Sequence, residues 1–166
     1  MPNWCANTVV VKGDEEKVDA FEEFLKVGKG NFDFNLFIPY PEEYRVLDEK
    51  HSEAINKGLP WKDVPKKNGY NSGGYEWCIE NWGTKWGACE VVTARMSPEV
   101  FYADFDTAWS PPIPVVQKAS EMFDSLTFSI SYSEEAMGFE GRSEFLSGEI
   151  VNEYCTEYSF QRADED

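Results

Sequence analysis

The chain has 166 residues, 42% apolar and 16% aromatic. That is enough for one domain with a real core, and it argues against disorder. Thirty-one acids against 15 bases leave a net charge of −16, which argues against direct contact with DNA or RNA, since both are held chiefly through neutralised phosphates.

Asn7 to Val11 is a β-branched run ending near Gly13, and predicts a first strand. Asp14 is placed to cap a helix whose first acids, Glu15 and Glu16, suit the positive end of its dipole. Val18, Phe21, Phe24 and Leu25 give that helix one apolar face, and Gly28 and Gly30 end it. Phe32, Phe34 and Leu36 alternate with polar residues, which predicts a second strand closed by Pro39 and Pro41. Residues 42–58 are charged and helix-compatible, and residues 59–74 carry the glycines and prolines of a loop. A short helix over about 75–81 leads into Gly83. Strands follow at about 88–95 and 99–105, with a turn at Ser97–Glu99. Ser110 before Pro111 and Pro112 predicts a capped helix start, with Val115, Val116, Ala119, Met122 and Phe123 as its apolar stripe. Leu126–Tyr132 alternates as a strand, and two more are expected at about 138–146 and 149–160.

This order predicts an α+β fold: a ferredoxin-like antiparallel sheet with two main helices on one face. A helical or loop insertion at about 40–80 and extra C-terminal strands complete a single domain over 1–160. Residues 161–166 are expected to be a frayed acidic tail.

Cys5, Cys78, Cys89 and Cys155 form no Cys-x-x-Cys pair, and His51 is the single histidine, so no metal site or cofactor is expected. No nucleophile has a visible base, which leaves an enzyme the weakest expectation and no residue assigned as catalytic. No charged-then-apolar segment opens the chain and no run of 18 apolar residues interrupts it, so a soluble cytoplasmic protein without membrane contact is expected.

Three clusters combine tryptophan with polar residues: Asn3-Trp4-Cys5-Ala6-Asn7, Asn81-Trp82-Gly83-Thr84-Lys85-Trp86 and Asp106-Thr107-Ala108-Trp109. They are either a closely specified core with turn caps, or a site in which indole faces stack on a planar ligand and Lys85 meets an anion. Asn3, Trp4, Asn7, Asn81, Trp82, Thr84, Lys85, Trp86, Asp106 and Trp109 are the candidates for ligand or partner binding. Lys85, a lysine between two aromatics, is expected to take a cation–π or an ion-pair role, with Glu80 or Asp106 as its structural partner.

Residues 121–166 hold twelve acids and two arginines, a net of −10. That segment supplies a second candidate surface: Glu134, Glu135, Glu140, Glu144 and Glu149. An acidic face of this kind attracts a protein with a basic surface.

The quoted clusters, together with Pro39-Tyr40-Pro41-Glu42-Glu43, Tyr132-Ser133-Glu134-Glu135 and Gly138-Phe139-Glu140-Gly141, resemble the Api92-like (YubB-type) family. The resemblance spans most of the chain in order. It implies a ferredoxin-like domain and a setting on bacteriophages, prophages or conjugative plasmids inside a bacterium. The favoured expectation is a non-enzymatic accessory protein that binds a basic host protein, with counter-defence by nucleic-acid mimicry as one version. The alternative is a nucleotide-like ligand module built on the Trp82–Trp86 cluster. An edge strand of such a sheet leaves a homodimer open.

Overall fold

A computed structural model describes residues 3–28 and 32–157. Among the described residues, six strands form one antiparallel sheet in the order β2-β3-β1-β4-β5-β6, accompanied by four α-helices. The first strand, β1 (Trp4–Lys12), lies at the centre, between β3 (Val100–Ala108) and β4 (Thr127–Glu134). β2 (Cys89–Ser97) forms one edge. Beyond β4, β5 (Phe139–Leu146) and β6 (Glu149–Glu157) extend the sheet to the other. The first four strands in this order, with α1 (Glu15–Leu25) after β1 and α4 (Ile113–Met122) after β3, form the split βαβ arrangement of a ferredoxin-like fold.

Alternation along β1 decides which face is covered. Cys5, Asn7, Val9 and Val11 are buried, while Trp4, Ala6, Thr8 and Lys12 point to the open face. Phe101, Ala103 and Phe105 on β3, with Phe128 and Ile130 on β4, continue the buried face. Phe21 of α1 reaches into it and meets Phe101, Phe123 and Phe128 edge-on, with centroids 5.1–5.5 Å apart. Arg95 of β2 ties α1 to the sheet edge through Asp19 and Glu22, both at 2.8 Å.

Three expectations about element starts are corrected. Phe32–Leu36 is not a strand. Phe34–Leu36 is a 3-10 turn, because the Phe32 and Phe34 rings both bury against Phe105 and Asp33 caps the Asn35 amide. The strand that follows α1 in the fold is therefore β2, and the connection between them runs over residues 26–88. Asp14 makes no side-chain cap; its carbonyl receives the Lys17 and Val18 amides. Ser110 does not cap α4 either. Its hydroxyl donates to the Gly83 carbonyl, and Pro112 holds the cap position.

The long connection carries α2 (Glu42–Asn56) and α3 (Gly74–Trp82). Asp48 of α2 accepts from the Tyr40 hydroxyl at 2.8 Å and the Tyr70 amide at 3.0 Å, which closes the loop between the two helices. Gly83 ends α3 at φ 78°, a left-handed stop that delivers Thr84, Lys85 and Trp86 to the end of the sheet. The predicted tail at 161–166 lies outside the described residues.

Candidate functional site

The three Trp-plus-polar clusters do converge, at the end of the sheet where β1 begins and β3 ends, but they divide between core and surface. Asn7 is buried, and its amide donates to the Cys5 carbonyl at 2.8 Å and the Thr107 hydroxyl at 2.9 Å. Thr84 is buried and donates to the Ala108 carbonyl at 2.8 Å. Asn81 donates to the Trp77 carbonyl one turn back. Trp82 is 5% exposed, and its indole N–H donates to the Ile38 carbonyl at 2.8 Å. Phe34, Tyr40 and Trp77 surround its ring. These four satisfy buried groups of the corner, so the Trp82–Trp86 pair is not a stacking platform.

The surface half is Trp4, Trp86, Trp109 and Lys85. Trp4 is 40% exposed and meets Trp86 edge-on at 6.3 Å. Asn3 anchors the next corner, its carbonyl receiving the Trp109 amide at 2.9 Å. Of the cation–π and ion-pair roles expected for Lys85, the structure shows the cation–π one: its ammonium lies over the rings of Trp109 and Tyr75.

Asp106 belongs to a different feature. The open face of the sheet holds a cleft of about 560 Å³ centred on β1 and β4. Its floor is small or hydroxylated: Ala6, Thr8, Ser131 and Ser133. These side chains come together because Ala6 stands opposite Ser133 and Thr8 opposite Ser131. The flanking strands raise the walls. Glu90, Asp104 and Asp106 stand on the β2–β3 side, Glu140 and Tyr154 on the β5–β6 side. Every charged residue lining the cleft is acidic. Asp104 accepts from the Thr8 hydroxyl at 2.6 Å. Burial first, then the charge of Glu90, holds the Asp106 carboxyl above its ordinary value.

The C-terminal acids separate in the same way. Glu134 is corrected from surface to interior. It is 1% exposed, and its carboxylate accepts from the Ala136 amide at 3.1 Å and from the Met137 amide, closing the β4–β5 hairpin. Glu144 is held by Arg142 at 2.7 Å. Glu135 and Glu149 are exposed, and Glu140 enters the cleft. Sequence reasoning missed Glu90 and Asp104. The signal available was alternation on β3, where Tyr102, Asp104 and Asp106 share the face opposite Phe101, Ala103 and Phe105.

Cys5 supplies no activated thiol, because burial, partly offset by Thr107, pushes it up to about 12. His51 contacts the Pro65 carbonyl at 3.1 Å. Among the described residues no cluster of His, Cys, Asp and Glu could hold a metal ion, and no helix is long and apolar enough to cross a membrane. A larger cavity of about 770 Å³ lies between α2 and the segment around Gly28 and Leu36, with lining charges of both signs, Asp33 and Glu49 beside Arg45.

A family model described as the ferredoxin-like domain in Api92-like protein matches residues 81–166. A crystal structure of a protein api92 from Yersinia pseudotuberculosis is similar in fold, with a TM-score of 0.59 and 12% identity over 98% of this chain and 100% of that one. At that identity the likeness concerns the fold alone. No curated protein matches the chain.

Proposed function

The chain belongs to the Api92-like proteins with a ferredoxin-like domain, and from that premise we propose that it is a non-enzymatic accessory protein of a phage, prophage or plasmid. It acts in the cytoplasm of a bacterial host by binding a host protein with a basic, nucleic-acid-binding surface, and the open face of the sheet is the binding surface. The observation that carries this reading is the cleft. Its small hydroxylated floor admits another chain closely, and its walls present Glu90, Asp104, Asp106 and Glu140 with no cation among the lining residues. Such a trough attracts lysine and arginine side chains and repels phosphates. The exposed Trp4 at its β1 end and Tyr154 on its far wall offer ring faces to the same cations. Occupying a partner's basic groove with carboxylates excludes the nucleic acid that groove serves, which is the physical content of mimicry.

The test is capture from bacterial lysate with the wild-type chain and with a variant carrying Glu90→Gln, Asp104→Asn, Asp106→Asn and Glu140→Gln. The expected result is a basic nucleic-acid-binding protein that the wild type retains at low salt and releases to high salt or to competing duplex DNA. The variant should lose it. Equal retention by both chains overturns the cleft as the site, and a retained set without basic proteins overturns the mimicry.

A further inference from the structure

Six of the cations among the described residues find carboxylates. Lys26, Lys57, Lys118, Arg45, Arg95 and Arg142 each pair with a glutamate or aspartate. Lys85 does not. Its ammonium lies 4.6 Å from the Trp109 ring centroid and 5.4 Å from that of Tyr75, in a chain with two acids for every base. An ammonium held over ring faces keeps N–H donors available for an acceptor.

Those three side chains line a cavity of about 350 Å³, together with Ile79, Ala108 and Ser110. The volume suits one aromatic or branched apolar group with a polar end. Ser110 already donates its hydroxyl proton to the Gly83 carbonyl, and Lys85 is the cationic donor among the residues lining the cavity. Ile79 is exposed, although it is a large apolar side chain on a helix that otherwise buries Cys78 and Trp82.

The backbone of Trp109 is a second, independent observation. Its φ is 73°, a left-handed conformation that glycine takes freely and a bulky side chain takes at a cost. Burial does not explain why tryptophan stands there, since the ring is 36% exposed. Backbone conformations of this kind persist where the surroundings enforce them, and they gather at ligand sites. Here the Trp109 amide is pinned by the Asn3 carbonyl and the ring is pinned under Lys85.

We propose that this cavity binds a carboxylate carried on an aromatic or branched apolar body. Lys85 pairs with the carboxylate, and Trp109 and Ile79 hold the body. The long-range field of the chain opposes any anion, but at physiological salt charges more than about 8 Å away are largely screened, so the local ammonium governs the contact. A free small acid and the C-terminal residue of a peptide share this chemistry. None of these residues lines the acidic cleft, so this proposal stands or falls separately from the cleft.

The experiment follows the indole N–H resonance of Trp109 at 0.15 M salt. The probes are 3-indolepropionate and a hexapeptide ending in leucine, prepared as the free acid and as the C-terminal amide. The expected result is a saturable shift with the acids and none with the amide. Lys85→Met should weaken binding at least about tenfold, a loss typical of one charge-assisted contact, while Lys85→Arg retains it. Trp109→Gly removes the reporter, so its binding is read by titration calorimetry; it should abolish binding without lowering Tm, because glycine relieves the left-handed backbone. Stronger binding of the peptide acid identifies a chain terminus as the ligand; equal binding of indolepropionate identifies a small acid. The proposal is overturned if no acid shifts the resonance at about 10 mM, or if the amide or Lys85→Met binds as well as the free acid does to the wild type.

Discussion

At the scale of single residues, Asp106 and Glu134 show how two acids of one chain take opposite roles. Asp106 stands in the cleft with its carboxyl held above the usual range, mainly by burial and then by Glu90. A raised value in the folded state means that folding favours the protonated form. This contribution is fully present below the unfolded value of 3.8 and is lost as pH rises through the higher folded value. At neutral pH the ionised group therefore costs stability. Asp106→Asn is expected to raise Tm at pH 7, with the gain shrinking as pH falls through the raised folded value and gone below 3.8, and to weaken capture of the basic partner. A lower Tm for the variant at pH 7 would show that its carboxylate is structural. Glu134 is a buried carboxylate that accepts from two backbone amides of its own turn. Glu134→Ala leaves both amides without that acceptor and should cost about 2 kcal/mol. Chemical denaturation measures it, and an unchanged midpoint would place the side chain in solvent.

At the scale of elements, β6 is the open question of the sheet. All nine of its residues are exposed, including Ile150, Val151 and Tyr154, and its outer edge has no described neighbour. An apolar edge of this length pairs with other strands unless something opposes it. The strand contains no proline or lysine, but glutamate recurs at 149, 153 and 157. Antiparallel self-pairing centred on Glu153 would set Glu149 of each copy against Glu157 of the other. Replacing the three with glutamine is expected to strengthen self-association by about tenfold or more, as like charges directly opposed are destabilising. Sedimentation across a concentration series reads this out, and a strictly unchanged mass would mean that charge is not what protects the edge.

At the scale of the whole molecule, a net charge of −16 on 166 residues makes self-repulsion part of the stability. Raising ionic strength from about 0.01 to about 0.15 M shortens the Debye length from roughly 30 to 8 Å. Tm should rise over that interval, while association with a basic partner slows. If Tm falls with salt, local pairs such as Arg95 with Asp19 and Glu22 outweigh the global repulsion.

Much of this organisation is carried by local pattern. The period of two along β1, β3 and β4 and the helical spacing of Val18, Phe21 and Leu25 were enough to determine a ferredoxin-like sheet with extra C-terminal strands, although the strand expected at Phe32–Leu36 is absent from it. The acidic imbalance was enough to motivate the proposal of a basic partner. Tertiary structure alone decided the rest, because it depends on what stands opposite what. Phe32 and Phe34 alternate like a strand, yet Phe105 draws both rings inward and curls the segment into a 3-10 turn. Trp82 and Lys85 lie three residues apart, and the Gly83 turn sends one into the core and the other onto the face of Trp109. Asp104 and Asp106 share the face the helices leave open, and the irregularity of β2 between Cys89 and Val92, where Glu90 takes φ 52°, brings Glu90 to the same wall. Register between distant strands is set by burial of the whole opposite face, a sum over the molecule that no local stretch of residues contains.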